Sequence, residues 1–208
     1  RAGSVAVGMI DVSAVVHHTD LIRTFRHERP DVDLRLTVAP SAALLDDLRS
    51  GALDVVVCIE PPAPIAGVDV EPLLSEPLMV LAPAGVRVGA PATWGPWVLF
   101  PGTSHTRQRI AAELSALGAP VQVSAESHQP DVLVQMVRLG LGWTVLPVEG
   151  GGPGGDVVLG PVLLRRQLVL ARRAGAVHDP AADEFADRLR RHAADRVKRP
   201  QPSRRRRR

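Results

Sequence analysis

The chain of 208 residues is short of several things, and each shortage removes a class of function. It has one cysteine, Cys58, so no internal disulfide can form. Set in the apolar run 53–59, that thiol reads as a small buried side chain, without a redox or nucleophilic role. No apolar stretch is long enough to span a bilayer, and the N-terminal residues lack the charged, then apolar, then small-residue pattern of a secretion signal. A cytoplasmic protein with no membrane contact is therefore expected. Catalytic motifs are missing too. Ser104, His105 and Asp131 are the residue types of a hydrolase triad, but there is no G-x-S-x-G turn, and adjacent Ser and His rarely point at each other, so no enzymatic activity is expected. His17 and His18 are neighbours on a predicted helix and diverge, which is poor geometry for a metal. The run EGGGPGG at 149–155 is not followed by a helix, so it lacks the setting of a phosphate cradle. Neither metal nor cofactor is expected.

Positive charge is also scarce once it is located. Lys198, Arg199 and Arg204 to Arg208 supply seven of the 25 cationic residues, leaving 18 against 22 carboxylates, or about −4, over residues 1–197. Binding to nucleic acid rests on clustered Lys and Arg neutralising phosphates, so this body is not built as a DNA surface. The tail 198–208 (KRPQPSRRRRR) has no apolar anchor and is expected to be disordered.

What is present is a large apolar fraction, 45%, ample for a core, in a repeating grammar. Residues 5–10 (VAVGMI) predict a strand, Asp11 to Ser13 a turn, and 14–29 a helix, because Val15, His18, Leu21, Ile22 and Phe25 fall near one face. Pro30 ends it. In 32–38 Val32, Leu34, Leu36 and Val38 alternate with polar residues, predicting a strand with one face more buried than the other. Ser41 is placed to cap a helix over 42–50, Gly51 to end it, and 53–59 to form a strand buried on both faces. The first 60 residues thus read β-α-β-α-β, a doubly wound half-sheet in the order 2-1-3.

A loop at 61–67 leads to an edge segment (68–74) and a strand (77–82), and 83–96 crosses to a new unit. From Trp97 the grammar repeats: strand 97–100, turn PGTS, helix 105–117, strand 121–124, polar turn ESHQ, helix 130–139, strand 143–146. Residues 163–171 (LLRRQLVLA) predict a strand that crosses back beside 77–82, and 180–197 a final helix, with Phe185, Leu189 and His192 inward, returning to the first unit. The expected architecture is α/β: two β-α-β-α-β lobes joined by two crossing strands, with a ligand cleft between them. The divisions are 1–82 for the first lobe, 83–160 for the second, 161–197 for the return and 198–208 for the tail.

Several short patterns, in this order, carry a family likeness: Val5-Ala6-Val7-Gly8; Phe25 with Pro30-Asp31-Val32-Asp33-Leu34; Leu45-x-x-Leu48-x-x-Gly51-x-Leu53-Asp54; Glu71-Pro72-Leu73; Glu76-Pro77-Leu78; and Val137-x-x-Gly140-x-Gly142-x-x-x-Leu146-Pro147. Through them the chain, to about Leu189, resembles the effector-binding domain of LysR-type transcriptional regulators, whose fold is that of type II periplasmic binding proteins. The winged helix-turn-helix that precedes this domain in the family is not among the 208 residues, so DNA contact is expected only through such a segment. Ala39-Pro40 and the Gly-rich loop also depart from the pattern. The resemblance implies a small-molecule effector in the cleft, homodimers in which sheet-edge helices and strands pair antiparallel, with 14–29 as a contact, and tetramers in intact regulators.

Free amides at helix N-termini beside the strand ends favour anions such as carboxylates. The turns that contact effectors in the family correspond here to Asp11 and Ser13, Ser41, Glu60, Thr103, Ser104 and His105, and Ser127 and His128. Each has a plainer reading. Ser41, Thr103 and Ser104 suit helix caps worth ~1 kcal/mol each. Asp11 and Glu60 would repel an anion, so they meet a cationic group or face solvent, and His105 and His128 suit exposed loops. Two other functions share the fold: a solute-binding protein of a transport system and a cleft enzyme resembling prephenate dehydratase.

Overall fold

The computed structural model describes residues 3–148, 154–177 and 179–198. Residues 199–208 of the basic tail and 149–153 of the Gly-rich loop lie outside them. Strand β1 (Ser4–Met9) pairs in parallel with β2 (Asp33–Val38) on one side and with β3 (Val55–Ile59) on the other, the expected 2-1-3 order. Alternation along β1 and β3 divides the first lobe into two cores. Val5, Val7, Met9, Val55, Val57 and Ile59 face α2 (Thr19–Glu28) and α6 (Pro180–Lys198), where the Phe25 and Phe185 rings meet edge to face at 5.1 Å. Ala6, Val56 and Cys58 face Leu44, Leu45 and Leu48 of α3 (Ser41–Ser50), which ends at Gly51 with φ 87°. Every residue of β3 is buried, as a strand covered on both faces requires.

Two long strands, β4 (Val68–Pro83) and β8 (Val157–Arg173), pair antiparallel and join the lobes; with β7 (Thr144–Pro147) beside β4 they complete a six-stranded sheet in the order β2-β1-β3-β8-β4-β7. In the second lobe β5 (Trp97–Leu99) pairs in parallel with β6 (Val123–Glu126). It meets β7 through the Trp97–Trp143 bridge, so the 2-1-3 order recurs as β6-β5-β7. Helices α4 (His105–Ala116) and α5 (Pro130–Arg138) cover it. Trp94, Trp97 and Trp143 are all buried here, with the Trp143 ring 6.3 Å from Trp94 and 6.1 Å from Trp97.

Four expectations need correction. The helix over 14–29 is two helices, α1 (Val12–His17) and α2, broken at His18. There the imidazole Nδ1 donates to the Ala14 carbonyl at 2.7 Å, taking the acceptor that the His18 amide would use in an unbroken helix, and that amide turns to the Val15 carbonyl instead. The segments 68–74 and 77–82 are one strand, since β8 accompanies them throughout and a register shift at Pro72/Leu74 absorbs the irregularity. Strand β6 covers Val123–Glu126 and not 121–124, so Glu126 belongs to the strand and not to the polar turn after it. Finally, β2 stands at the sheet edge, and its apolar row, packed on the core at Val32 and Leu34, emerges into solvent at its far end, with Leu36 41% and Val38 53% exposed.

Candidate effector site

Strand β3 ends at Ile59, and the next amide, of Glu60, donates to the Gln167 carbonyl of β8 at 2.9 Å. This places Glu60 where the first lobe meets the crossing strands. From the second lobe, α4 begins at His105, and one turn later Arg109 donates to the Arg165 carbonyl at 3.0 Å. Between these two banks lies a cleft of about 480 Å³, walled by Ile59, Glu60, Pro61 and Pro62, by His105 and Arg109, and by Ser75, Arg165, Arg166 and Gln167 of the crossing strands.

Behind the cleft wall is a buried ionic network. Arg166 is 2% exposed; its Nη2 donates to Asp11 Oδ2 at 2.9 Å and its Nε donates to Glu76 Oε1. Glu76 Oε2 also meets His17 Nε2 at 2.8 Å. Burial lowers the guanidinium pKa, but the two carboxylates raise it further, and the net effect holds it above the ordinary arginine value. The neighbouring His18 imidazole, fully buried, is pushed down to about 4, mainly by loss of hydration, with His192, His17 and Arg196 adding to this and the Ala14 carbonyl opposing it. Both ends of α1 are held by this network, Asp11 as its N-cap and His17 as its last residue.

Glu60 and His105 are the two sequence candidates that wall the cleft. Asp11 is buried: its Oδ1 accepts from the Ala14 amide at 3.1 Å and its Oδ2 from Arg166, so it touches the cleft only through that arginine. Ser13 falls in the first turn of α1, its side chain outside the described residues. Ser41 does not cap α3, whose N-cap is Pro40; its Oγ accepts from the Ile59 amide at 3.3 Å, because strand β3 runs beside that helix end. It also bonds Cys58, whose thiol burial pushes up to about 12, an unreactive state. In the second lobe Thr103 is exposed, Ser104 caps α4 by accepting from the Arg107 amide at 3.3 Å, Ser127 accepts from the Gln129 amide at 3.1 Å, and His128 is exposed. These four are not among the cleft walls.

The residues that sequence reasoning missed are the cations. Arg165, Arg166 and Gln167 interrupt an otherwise apolar strand, and Arg109 lies four residues after His105 on the same helical face, signals that were there to be used. Among the described residues no group of His, Cys, Asp and Glu could hold a metal ion, and no helix is long and apolar enough to cross a membrane.

With this geometry, the chain can be set beside known proteins. The family model described as LysR substrate binding domain matches residues 1–194. The chain is 29% identical over 178 residues to the uncharacterized HTH-type transcriptional regulator YfeR of Shigella flexneri, covering 79% of this chain and 57% of that one. It spans about half the length of the curated relatives it matches. Among solved structures, the effector binding domain of QuiR in complex with shikimate superposes with a TM-score of 0.81 at 16% identity, over 93% of this chain and 98% of that one. The regulatory domain of Synechocystis CcmR in complex with 2-PG gives 0.78 at 19% identity, over 91% and 96%. At such identities these two share the fold.

Proposed function

The chain belongs to the LysR substrate-binding domain family, and on that premise we propose that it senses a small organic acid held in the cleft between its lobes and passes the event to a DNA-binding segment outside these 208 residues. The observation that carries the choice of ligand is the arrival of Arg109, Arg165 and His105 at one cavity from two different elements. A cleft that contributes three basic side chains favours an anion through charge-assisted hydrogen bonds. The size of the cavity suits a small metabolite. Glu60 and His105 contact the effector directly, Ser41 supports the Ile59 wall, and Asp11 acts through Arg166. Ser13, Thr103, Ser104, Ser127 and His128 serve the rims of the two lobes, which divide as 1–82 with 161–197, and 83–160.

The response is a change in lobe arrangement about the crossing strands, and it requires that the ligand bind one arrangement better than the other. The protein acts in the cytoplasm, without catalysis, as a homodimer whose exposed β2 edge and neighbouring α2 form the contact, and as a tetramer when full-length. An unpaired strand edge bearing Leu36 and Val38 is a surface that a second copy covers readily.

The test is a thermal-shift screen of small carboxylates, aromatic acids and amino acids, since a ligand selective for the folded state raises the unfolding temperature. A selective acid should be found, and Arg109→Gln should weaken it by roughly tenfold or more. Binding that ignores Arg109→Gln, together with Ser41→Ala and Thr103→Ala, places the ligand elsewhere and sinks the reading.

A further inference from the structure

The cleft is not uniformly cationic, and its one carboxylate is informative. Arg166, although part of the wall, is turned to the opposite face of β8 from Arg165 and Gln167, and its charge is engaged by buried Asp11 and Glu76. Arg109, Arg165 and Glu60 differ: none of them forms an ion pair among the described residues. Arg165 is bonded to the Ser75 hydroxyl and carbonyl, and Arg109 to the Arg165 carbonyl, all neutral acceptors.

Two anchor points give the scale. Arg109 is tied to the carbonyl of Arg165, and the Glu60 amide to the carbonyl of Gln167, two residues along the same strand. Those two backbone anchors are about 7 Å apart. Arg109 therefore stands on the second-lobe bank, Glu60 on the first-lobe bank and Arg165 on the crossing strand between them, with the backbone anchors of the two banks only two residues apart along β8. Ile59, Pro61 and Pro62 line the first-lobe side with apolar surface. A simple acid gains from the arginines but meets Glu60. A simple amine has the opposite difficulty. A molecule carrying both charges a few bonds apart gains from both banks and leaves neither charge unpaired.

Resting on the cleft reading above, we propose that the effector is a zwitterion of the amino-acid class, its carboxylate received by Arg109 and Arg165 and its ammonium by Glu60. Specificity over the matching acid without an amine then comes from Glu60 alone, which makes it the residue that determines ligand class.

The experiment uses the whole 208-residue chain and a panel of probes: the standard amino acids and the ω-amino acids from β-alanine to 6-aminohexanoate, each beside its deaminated acid and a dicarboxylate of the same length. Thermal shift finds binders and calorimetry measures their Kd. The expected result is an amino acid bound at least about tenfold tighter than its deaminated partner. Glu60→Gln should erase that preference, Glu60→Asp should restore part of it, and Arg109→Gln should weaken both compounds. Glu60 is exposed, so the unliganded unfolding temperature of its variants should match that of the parent. A deaminated acid or dicarboxylate that binds as well as the amino form, in an Arg109-dependent way, overturns the ligand class and leaves the cleft reading standing. Binding indifferent to Arg109→Gln overturns the cleft reading itself. No binding by any amino acid at millimolar concentration overturns the class.

Discussion

Replacing Arg166 by methionine is the most direct test of how the crossing strands are held. The guanidinium is buried and donates to Asp11 and Glu76, carboxylates that are themselves buried and lie 155 and 90 residues away in sequence. Without it, Asp11 keeps the Ala14 amide and Glu76 keeps His17, but two carboxylates lose their main countercharge. Breaking a buried pair from one side typically costs about 3–5 kcal/mol, because the stranded charge keeps its desolvation penalty. About 4 kcal/mol is thus expected, a large part of the ~5–15 kcal/mol that stabilises an ordinary domain. Urea unfolding followed by far-UV circular dichroism would measure it. Pairing the change with Asp11→Asn should cost less than the sum of the two single changes, by roughly 0.5–3 kcal/mol, since asparagine leaves no charge behind. A loss under about 1 kcal/mol, or strict additivity, would mean that the network is not the structural clamp inferred here.

Other perturbations follow from single sites. The depressed His18 pKa means that the unfolded chain takes up a proton near pH 6.5, whereas the folded chain does so only near 4. Stability from this group is intact above pH 6.5 and falls as pH drops towards 4, by about 3 kcal/mol in all. His18→Asn keeps a donor for the Ala14 carbonyl and should flatten that part of the pH profile; identical profiles would refute it. Gly142→Ala places a Cβ 2.8 Å from the Pro96 carbonyl oxygen, which accepts from the Trp143 amide at 2.7 Å. Backbone cannot give way as a side chain can, so a loss of about 1–3 kcal/mol is expected, against almost none for Gly102→Ala, where the space is open. An unchanged unfolding temperature for Gly142→Ala would count against this β5–β7 geometry.

Elements whose shape is decided locally were readable in the sequence. Gly51 ends α3, the apolar run through Val55 to Ile59 is a doubly covered strand, and the 2-1-3 unit returns after Trp97. Elements decided by a neighbour were not. The break at His18 depends on an imidazole finding a carbonyl, and the continuity of β4 through Pro72 and Pro77 depends on the length of β8. The site divides in the same way. Glu60 and His105 stand at a strand end and a helix start, positions that pattern alone identifies. Arg165 and Arg166 are adjacent and look equivalent, yet the pleat sends one to the cleft and the other to two buried carboxylates. Nothing local says which is which. Ser41 illustrates the reverse case: a hydroxyl before a helix invites a cap, but strand β3 offered the Ile59 amide instead.

The packing of Trp94, Trp97 and Trp143 into one core makes the molecule optically one-sided. The chain contains no tyrosine, and its only indoles lie in the second lobe, so tryptophan emission carries no signal from the first. Fluorescence and circular dichroism therefore view different things: one half of the protein and the whole of it. Unfolding curves that coincide by both methods would mean that the crossing strands bind the halves into one cooperative unit, while curves that separate would time the loss of each half without any label being added.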